Sequence, residues 1–373
     1  MTTLIMDCFG LAPVRLKLMY EFFSQRDDRV QIVSSDWDHF KKKRRASDSP
    51  HVVYLPTLPY YKNISVRRLV SHWLFARSAF AYAEKLNAET IYTHVPPNAM
   101  AHFARRYKER HPRSKMYLGL IDLWPESMPV GPMKNRFPFT LWRAMRDMAL
   151  AAADIVTPEC DLYRRLLRGT PGMDDAPLLR LVNEDHGLFS PEVPPHDALR
   201  LCYLGSVNTI IDIPLIASLL GEIARHKKVE LHIIGDGENR DTLLNAAKAA
   251  GAEALFYGIT FDAEKKRDVY RRCHFGLNIM KPQVCVGLTM KSIDYFEAGL
   301  PLLNNIGGDT WEWVASRGAG FNIAAGDAGT TAQKALAATA SQLAHMRQNS
   351  RAVYDEFLSV PAFNARLSEI FGA

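Results

Sequence analysis

The sequence contains no run of about 18 consecutive apolar residues, which is the length that a membrane-spanning helix needs. It also has no basic flank before its first apolar stretch, Met1–Gly10, although such a flank opens a secretory signal peptide. We therefore expect the chain to span no membrane and to begin with a β-strand. Hydrophobic residues make up 47% and charged residues 23% of the 373 residues, which is the balance of a globular protein large enough for two domains.

Cysteine is scarce, and its spacing argues against the common zinc sites. The five cysteines are Cys8, Cys160, Cys202, Cys273 and Cys285, and no two of them form a C-x-x-C pair. An odd number of widely spaced cysteines predicts free thiols in a reducing compartment and not a disulfide framework. We expect a cytoplasmic protein without a structural zinc.

Acidic residues are rare between positions 39 and 115, where 16 Lys and Arg stand against 4 Asp and Glu. The net charge of +6 lies in residues 1–198, because the remainder has 18 residues of each sign. The cluster Lys41–Arg45 leads this basic stretch. It is interpreted as a solvated surface, or as a patch for a phosphorylated acceptor or for anionic lipids on the inner face of a membrane. Nucleic acid ranks last, because no nucleic-acid-binding motif accompanies the charge.

Short apolar runs alternate with amphipathic stretches in both halves of the chain. In residues 1–185 the strand-like runs are Thr3–Cys8, Val30–Ser34, Thr90–His94, Met116–Ile121 and Asp154–Thr157. In residues 199–355 they are Leu199–Leu204, Val229–Ile234, Ala254–Tyr257, Gly276–Ile279 and Leu300–Asn304. Residues 186–198 are rich in proline and predict a linker, and residues 356–373 predict a tail that packs back toward the N-terminal domain. This α/β pattern predicts two doubly wound, Rossmann-like domains that face each other across a cleft.

In doubly wound domains, ligands bind beyond the carboxyl ends of the strands. His94 and Asp122 each stand at the end of a predicted strand in the first half. Gly10 lies on the first loop, where the absence of a side chain lets the backbone approach a phosphate closely. His94 is also interpreted as a loop histidine with structural hydrogen bonds only, and Trp124 as a packing residue or as a stacking surface for the acceptor.

The loop and helix around Thr289 carry the strongest chemical signal. Gly287 stands in a flexible loop, and Thr289 is the predicted N-cap of the helix that follows. The first N–H groups without helical partners are then those of Met290, Lys291 and Ser292. Such a helix end attracts phosphate through these donors and through the helix dipole. Lys291 adds a full positive charge that is unfavourable for the helix itself, so a bound anion would explain it.

Asp294 lies three residues after Lys291 on the same helix face, where its carboxylate can accept hydrogen bonds from ribose hydroxyls. The segment Lys291–Pro301 resembles the donor site of retaining GT-B glycosyltransferases of family four, in its K-x-x-E-Y-x-A-x-G-x-P variant. Asp294 occupies the place of the second glutamate of the family pattern, which binds the donor ribose. Val286 occupies the place of the first glutamate. This chain therefore has no glutamate at the position that acts on the sugar hydroxyls in the family.

Three further segments are similar to the same family, namely Tyr203–Ser206, Ile233–Leu243 and Asp122–Ser127. They resemble the first strand and turn of the donor domain, its I-x-G-x-G-x-x-R-x-x-L loop, and a D-x-W-P-x-S segment of bacterial polysaccharide members. In the family, two basic residues usually follow the first of these turns and hold the diphosphate. Here Val207–Thr209 stands in their place, and we expect Lys291 and Lys281 to supply the charge.

The resemblance implies an enzyme that moves a sugar, with retention at the anomeric carbon, from a UDP- or GDP-sugar to an acceptor hydroxyl. The implied setting is bacterial polysaccharide, glycolipid or glycoprotein glycan synthesis, with a saccharide, lipid-linked or protein-linked acceptor and no required cofactor or metal. The implied catalytic residues are His94, Asp122 and Lys291. The implied donor-binding residues are Gly10, Gly205, Ser206, Gly235, Lys281, Gly287, Leu288, Thr289, Met290, Lys291 and Asp294.

Three alternatives remain open at this point. A nucleotide-sugar epimerase of the same fold would need carboxylates for proton removal, and the missing first glutamate leaves few of them. A glycosyltransferase-like protein that binds without catalysis is consistent with the two departures from the family pattern. Asp36 and Asp38 form a D-x-D sequence after a strand, and such a sequence holds a divalent metal against a nucleotide diphosphate in the other major transferase fold.

Overall fold

The computed structural model describes residues 1–10, 13–45, 49–63, 65–128, 130–325 and 327–372 of the chain. Contacts between residues divide the chain into two units. Unit 1 comprises Met1–Arg180 and Asn364–Ala373, and unit 2 comprises Leu181–Phe363. Residues 186–198, the expected linker, therefore group with unit 2. The expected domain boundary at residue 185 stays a prediction.

The described residues of unit 1 form a parallel sheet of six strands with helices around it. The strands are β1 (Thr2–Asp7), β2 (Arg29–Ser35), β3 (Val52–Leu55), β4 (Thr90–Val95), β5 (Lys115–Leu120) and β6 (Ile155–Pro158). The helices are α1 (Pro13–Ser24), α2 (Val66–Leu86), α3 (Asn98–Arg110), α4 (Phe139–Ala152) and α5 (Asp161–Leu166), with a 3-10 turn at Gly131–Asn135. The strand order is β3-β2-β1-β4-β5-β6. Because the order reverses between β1 and β4, the loops after these two strands flank the switch point at which ligands bind in such sheets.

Helix α2 shows how the local sequence sets the bounds of an element. The Ser65 hydroxyl accepts a hydrogen bond from the N–H of Arg68 (3.3 Å) and caps the start of the helix. Asn87 ends the helix in the left-handed conformation (φ 49°), which asparagine tolerates better than most residues. Although α2 is 21 residues long, no helix among the described residues is both long enough and apolar enough to cross a membrane.

Unit 2 repeats the architecture of unit 1. The strands are β7 (Leu199–Leu204), β8 (Val229–Ile234), β9 (Glu253–Gly258), β10 (Phe275–Asn278), β11 (Leu302–Asn304) and β12 (Gly320–Asn322). The helices are α6 (Ile213–Ala224), α7 (Arg240–Ala249), α8 (Ala263–Tyr270), α9 (Met290–Glu297), α10 (Asp309–Arg317), α11 (Ala328–Ala337), α12 (Ala340–Phe357) and α13 (Val360–Phe371), whose last residues group with unit 1. The described strands form one parallel sheet in the order β12-β11-β10-β7-β8-β9, so its switch point lies between β7 and β10.

The core of unit 2 lies between this sheet and the helices that cover it. Strand and helix side chains in it are fully buried, among them Leu201, Leu231, Leu277, Ile216 and Ala332. Each buried aliphatic side chain of this size contributes about 1.5–3 kcal/mol through removal from water. The central strands are therefore anchored firmly, and the loops at their carboxyl ends stand on a rigid base.

The predicted α/β fold of two doubly wound domains is confirmed. Each strand predicted from the sequence is present within two residues of its expected bounds. The edge strands β3 and β12 were not predicted. All residues of both strands are only half-buried, so neither shows the continuous apolar run of a central parallel strand.

Candidate functional site

The loops that follow β7 and β8 meet at the carboxyl end of the unit 2 sheet. Gly205 follows β7 with φ 108°, and Gly235 follows β8 with φ 136°, and these backbone conformations favour glycine. A β-carbon on Gly235 would overlap the carbonyl oxygen of Gly205. The two loops therefore approach each other backbone to backbone. Ser206, the next residue, is exposed beside them, and its carbonyl oxygen accepts a hydrogen bond from the Tyr203 hydroxyl (2.8 Å).

Helix α9 begins near the same edge of the sheet, and its predicted N-cap is confirmed. The Thr289 hydroxyl accepts a hydrogen bond from the N–H of Ser292 (3.1 Å). The carbonyl oxygen of Gly287 accepts hydrogen bonds from the N–H (3.2 Å) and the hydroxyl (2.9 Å) of Thr310, which fixes the preceding loop to α10. Met290, the first helical residue, is 52% exposed. The helix end thus holds N–H donors and the positive end of the dipole in a fixed and accessible place, which suits a phosphate.

Lys291 brings its charge to the junction between this helix and the β7 loop. Its Nζ atom lies 4.6 Å from the centre of the Tyr203 ring. Its Cε atom would lie 3.9 Å from a β-carbon at Gly205. The Nζ atom is inaccessible to water and has no hydrogen-bond partner among the described residues. This burial lowers the pKa of Lys291 from 10.5 to about 8. An unpaired buried ammonium is costly, and an anion bound at this place would compensate it.

Tyr295, the tyrosine of the K-x-x-E-Y pattern, ties α9 to the end of β7. Its hydroxyl accepts a hydrogen bond from the N–H of Leu204 (2.7 Å) and donates one to the carbonyl oxygen of Cys202 (3.0 Å). Gly276 on β10 makes room for the ring, since a β-carbon there would lie 2.9 Å from it. Tyr295 is a positioning residue, because it sets the register between the β7 loop and the helix that carries Lys291.

The other donor-side candidates are placed as follows. Asp294 is buried and forms an ion pair with Lys266 of α8, a partner that the sequence did not indicate. Leu288 is buried just before the N-cap. Lys281 is half-buried, and its backbone N–H donates to the carbonyl oxygen of Ile210 (2.9 Å). The backbone of Lys281 therefore contacts the β7 loop at Ile210, whereas Lys291 brings its side chain to the same loop beside Gly205.

In unit 1, Asp7 at the end of β1 links two of the predicted residues. One carboxylate oxygen of Asp7 accepts a hydrogen bond from Nδ1 of His94 (3.0 Å), and the other accepts one from the N–H of Gly10. The side chains of Asp7 and His94 are both 1% exposed. Burial lowers the pKa of His94, so the ring is neutral near pH 7 with its proton on Nδ1. Its Nε2 atom is then an acceptor, and no described residue donates to it.

Asp122 follows β5, the strand next to that of His94. Its carboxylate accepts hydrogen bonds from the indole N–H of Trp124 (2.7 Å) and from the N–H of Leu123 (2.7 Å). Burial raises the pKa of Asp122 above its ordinary value. The guanidinium of Arg68 lies 4.9 Å from the Trp124 ring. Trp124 therefore helps to hold both Asp122 and Arg68, and its packing role is plain.

The carboxylates of the D-x-D sequence stabilise the loop after β2. Asp36 forms an ion pair with Arg44 and accepts hydrogen bonds from the N–H (2.8 Å) and hydroxyl (2.9 Å) of Thr57. Asp38 accepts hydrogen bonds from the N–H groups of Phe40 and Lys41 (both 2.8 Å). Among the described residues, no group of three or more His, Cys, Asp or Glu is arranged to hold a metal ion. A metal bound by Asp36 and Asp38 would therefore have to displace the contacts that both side chains already make.

Two groups of predicted residues emerge, one in each unit. In unit 2, Gly205, Gly235, Thr289 and Lys291 converge into a cationic site lined by backbone donors, which is suited to a diphosphate. In unit 1, Asp7 joins Gly10 to His94, and Asp122 follows the adjacent strand. The individual roles of all these residues stay predictions.

No protein-family model matches the sequence, and no curated protein is significantly similar to it. Solved structures, in contrast, are similar over the whole length of the chain.

Several of the similar structures are glycosyltransferases. Sucrose-phosphate synthase from Thermosynechococcus elongatus matches with a TM-score of 0.73 and 14% identity, over 100% of this chain and 98% of the other. HepE from Anabaena, in complex with UDP, matches with a TM-score of 0.72 and 12% identity over 100% of both chains. WaaG, a glycosyltransferase involved in lipopolysaccharide biosynthesis, matches with a TM-score of 0.67 and 11% identity over 100% of both chains. At such identities the similarity establishes the fold, so the predicted GT-B fold is confirmed.

Proposed function

We propose that the protein is a glycosyltransferase whose unit 2 binds a nucleoside diphosphate sugar through the helix start at Thr289. The observation that carries this proposal is the buried Nζ atom of Lys291, which has no described partner beside the Gly205 loop. A diphosphate would meet this ammonium, the first N–H groups of α9 and the backbone of the β7 loop together. Asp294 is proposed to contact the donor ribose, with Lys266 holding its charge.

UDP-sugars are the donors to test first. Anabaena HepE is seen in complexes with UDP and with UDP-glucose, and its fold covers the whole of this chain. The donor-site residues that we assign lie in the half that resembles the donor domain of family four. GDP-sugars are the second choice, because the residues argued above contact phosphate and ribose and do not select a base.

The proposed reaction transfers the sugar with retention at the anomeric carbon. The bond from that carbon to the diphosphate oxygen breaks, the departing oxygen keeps the electron pair, and the acceptor oxygen bonds to the carbon on the same face. The proton of the acceptor hydroxyl passes to the departing diphosphate. Lys291 and the α9 helix end would stabilise the negative charge that develops on the diphosphate. His94, oriented by Asp7, and Asp122 are proposed to act on the sugar and acceptor side. The acceptor is a saccharide, a lipid-linked glycan or a protein-linked glycan. A peripheral position on a membrane fits the lipid-linked glycan.

The test is a panel of UDP- and GDP-hexoses with saccharide and lipid-linked acceptors, read out as product and released nucleoside diphosphate. We expect transfer from at least one donor, and nucleotide affinity that Lys291→Met lowers about tenfold or more, as expected for a charge-assisted contact. Lys248→Met on α7 is the matched control, because Lys248 is exposed and should leave affinity unchanged.

The other outcomes separate the alternatives. An isomerised sugar nucleotide without transfer would identify an epimerase. Nucleotide binding without turnover on any acceptor would identify a binding partner. If neither UDP, GDP nor their sugars bind in calorimetry, or if Lys291→Met binds them as tightly as the native chain, the assignment of the donor site is wrong.

A further inference from the structure

Helix α2 exposes an apolar face to solvent. Five large apolar residues follow one another at helical spacing on this face, with exposed fractions from 39% to 77%: Val66, Leu69, Val70, Trp73 and Leu74. The opposite face is buried in unit 1 through Phe75, Ala76, Ala79 and Phe80. An amphipathic helix of a globular protein normally has polar residues on its outer face. Here the outer face is apolar over its first turns, and we call its five residues the α2 face.

A second exposed apolar group lies on the 3-10 turn, on α4 and on the short connection between them. Its members are between 47% and 79% exposed, and they are Met133, Phe137, Leu141 and Met148. We call these four residues the α4 face. Helix α3 lies between the two helices, because it packs against both α2 and α4. Singly exposed apolar residues are common on protein surfaces, whereas two groups with nine such residues on either side of α3 exceed scattered exposure and mark a candidate interaction site.

The two faces flank the loop that carries Asp122. Trp124 in this loop lies 4.9 Å from the guanidinium of Arg68, in the first turn of α2. On its other side, the Trp124 ring lies with its centre 5.7 Å from that of Trp142, in the first turn of α4. The apolar faces therefore border the residues that we assign to the acceptor.

The charge around these faces is mainly positive, and the acidic exceptions are Asp147 beside Met148 and the exposed Glu109 of α3. No Asp or Glu occurs from residue 49 to residue 83, or from residue 127 to residue 146. Lys62, Arg67, Arg77 and Arg136 are exposed on these segments. Apolar side chains bordered mainly by Lys and Arg match the surface of an anionic bilayer better than that of an average protein partner.

The basic cluster Lys41–Arg45 contributes less to this surface than its composition indicates. Lys42 donates to the side chain of Asn63 (2.9 Å), and Arg44 pairs with Asp36. Arg45 donates to the carbonyl oxygen of Phe9 and lies 3.6 Å from Asp38. Three of the five side chains thus stabilise the loop in which they stand.

We propose that the α2 face and the α4 face dock unit 1 onto an anionic lipid bilayer, with the exposed Lys and Arg residues contacting the head groups. This places the Asp122 loop at the lipid surface. If the proposed transferase function holds, the acceptor is a lipid-linked saccharide presented from the same bilayer. The docking itself requires no donor, acceptor or turnover.

The test is sedimentation of the full-length protein with vesicles of phosphatidylcholine alone or mixed equally with phosphatidylglycerol. One variant changes the α2 face (Val66→Ser, Leu69→Ser, Val70→Ser), and a second changes its charge (Arg67→Gln, Arg77→Gln). The control changes two apolar residues of unit 2 that are 66% and 92% exposed but lie beside acidic residues (Ile259→Ser, Phe261→Ser). UDP binding and the thermal melt of each variant confirm that it is folded.

We expect the native protein to bind the mixed vesicles more tightly than the neutral ones. The partition coefficient should fall about tenfold or more in the α2 face variant, because several apolar side chains leave the membrane interface. The charge variant should lose binding to the mixed vesicles only, and its loss should shrink as salt is raised. The control should bind like the native protein.

Three results would overturn the proposal. The first is equal and weak binding of the native protein to both kinds of vesicle at low salt. The second is a control variant that loses as much binding as the α2 face variant. The third is a concentration-dependent dimer in the absence of lipid that the α2 face variant abolishes, because a second copy of the chain would then be the occupant. None of these results touches UDP binding, so a failure of the docking proposal is separate from a failure of the transferase proposal.

Discussion

Replacing Lys291 by methionine should stabilise the protein while weakening its site. Methionine keeps the apolar stem of the side chain and removes the buried ammonium. A pKa lowered from 10.5 to about 8 corresponds to roughly 3 kcal/mol lost from the free energy of unfolding near pH 7, at about 1.4 kcal/mol per pKa unit. The lost contact between the ammonium and the Tyr203 ring offsets about 1 kcal/mol of the gain. We expect a net gain of about 2 kcal/mol, or roughly 4–8 °C in Tm.

The pH dependence of this gain tests its cause. Below the folded-state pKa of about 8, Lys291 is charged in the folded and unfolded states, and the full penalty is present. Between that pKa and the unfolded value the folded state loses the proton first, so the native protein gains stability as pH rises. The advantage of the methionine variant should therefore shrink by about 2 kcal/mol between about pH 7 and about pH 9.5.

The assay is urea unfolding of the native protein and of Lys291→Met at both pH values, with Lys248→Met as the exposed control. A native protein as stable as the methionine variant near pH 7 would show that the ammonium is not buried without a partner, and the argument for an anion site would fail with it. With UDP present, the same measurement should make the native protein more stable than Lys291→Met. UDP raises the free energy of unfolding of the native protein strongly, because it binds the folded state only.

Three further expectations follow from named contacts. Asp7→Asn should lower kcat about tenfold or more through misorientation of His94, with UDP affinity within about twofold of the native value; equal losses in both would mean a purely structural role. Gly235→Ala should cost about 1–3 kcal/mol and weaken UDP binding, because its β-carbon overlaps Gly205, whereas Gly329→Ala on α11 meets no neighbour and should not; a harmless Gly235→Ala would refute the close approach of the two loops. Transfer should persist in EDTA, because Arg44, Thr57 and backbone amides engage Asp36 and Asp38; loss with EDTA and recovery with manganese would show that metal ligation displaces those contacts.

The start of α9 could be predicted from sequence because its determinants are local. A threonine after a glycine-containing loop specifies the cap through contacts within one turn, because its hydroxyl accepts from a backbone N–H three residues further on. The structure bears this out, with Thr289 accepting from the N–H of Ser292 at 3.1 Å. The strands were predictable for a similar reason, because a parallel strand buried on both faces is a continuous apolar run.

The partners that complete each site could not be predicted, because they are distant in sequence. Asp7 reaches His94 across 87 residues, and Tyr295 reaches Leu204 across 91 residues. Lys266 and Asp294 come from different helices and are 28 residues apart. Nothing in the residue types alone pairs these positions, since each pair depends on strand order and helix packing that a single sequence does not reveal.

Composition also says less about charge than the structure does. The count of basic residues drew attention to Lys41–Arg45, yet three of these five side chains are already engaged, by Asn63, Asp36 and Asp38. The helical spacing of the apolar residues in α2 gives the period of a helix face, but it does not tell which face is covered. The solvent exposure of Val66 and Leu69 depends on the tertiary structure. Because of it, the membrane proposal rests on an apolar face with a basic border and not on charge alone.

The departure from the family pattern after β7 gives Lys291 its particular importance. Val207, at the place where a basic residue usually stands, is fully buried in the core of unit 2, so a charged side chain there would not fit this packing. The positive charge at the β7 loop then comes from Lys291, whose pKa is about 8 and whose side chain lies beside Tyr203 and Gly205. A guanidinium in its place would stay charged at every physiological pH, whereas this ammonium loses its proton just above neutrality. A bound diphosphate favours the charged form, so UDP affinity should fall as pH rises above about 8, by up to about tenfold per pH unit. Lys291→Met should remove this dependence.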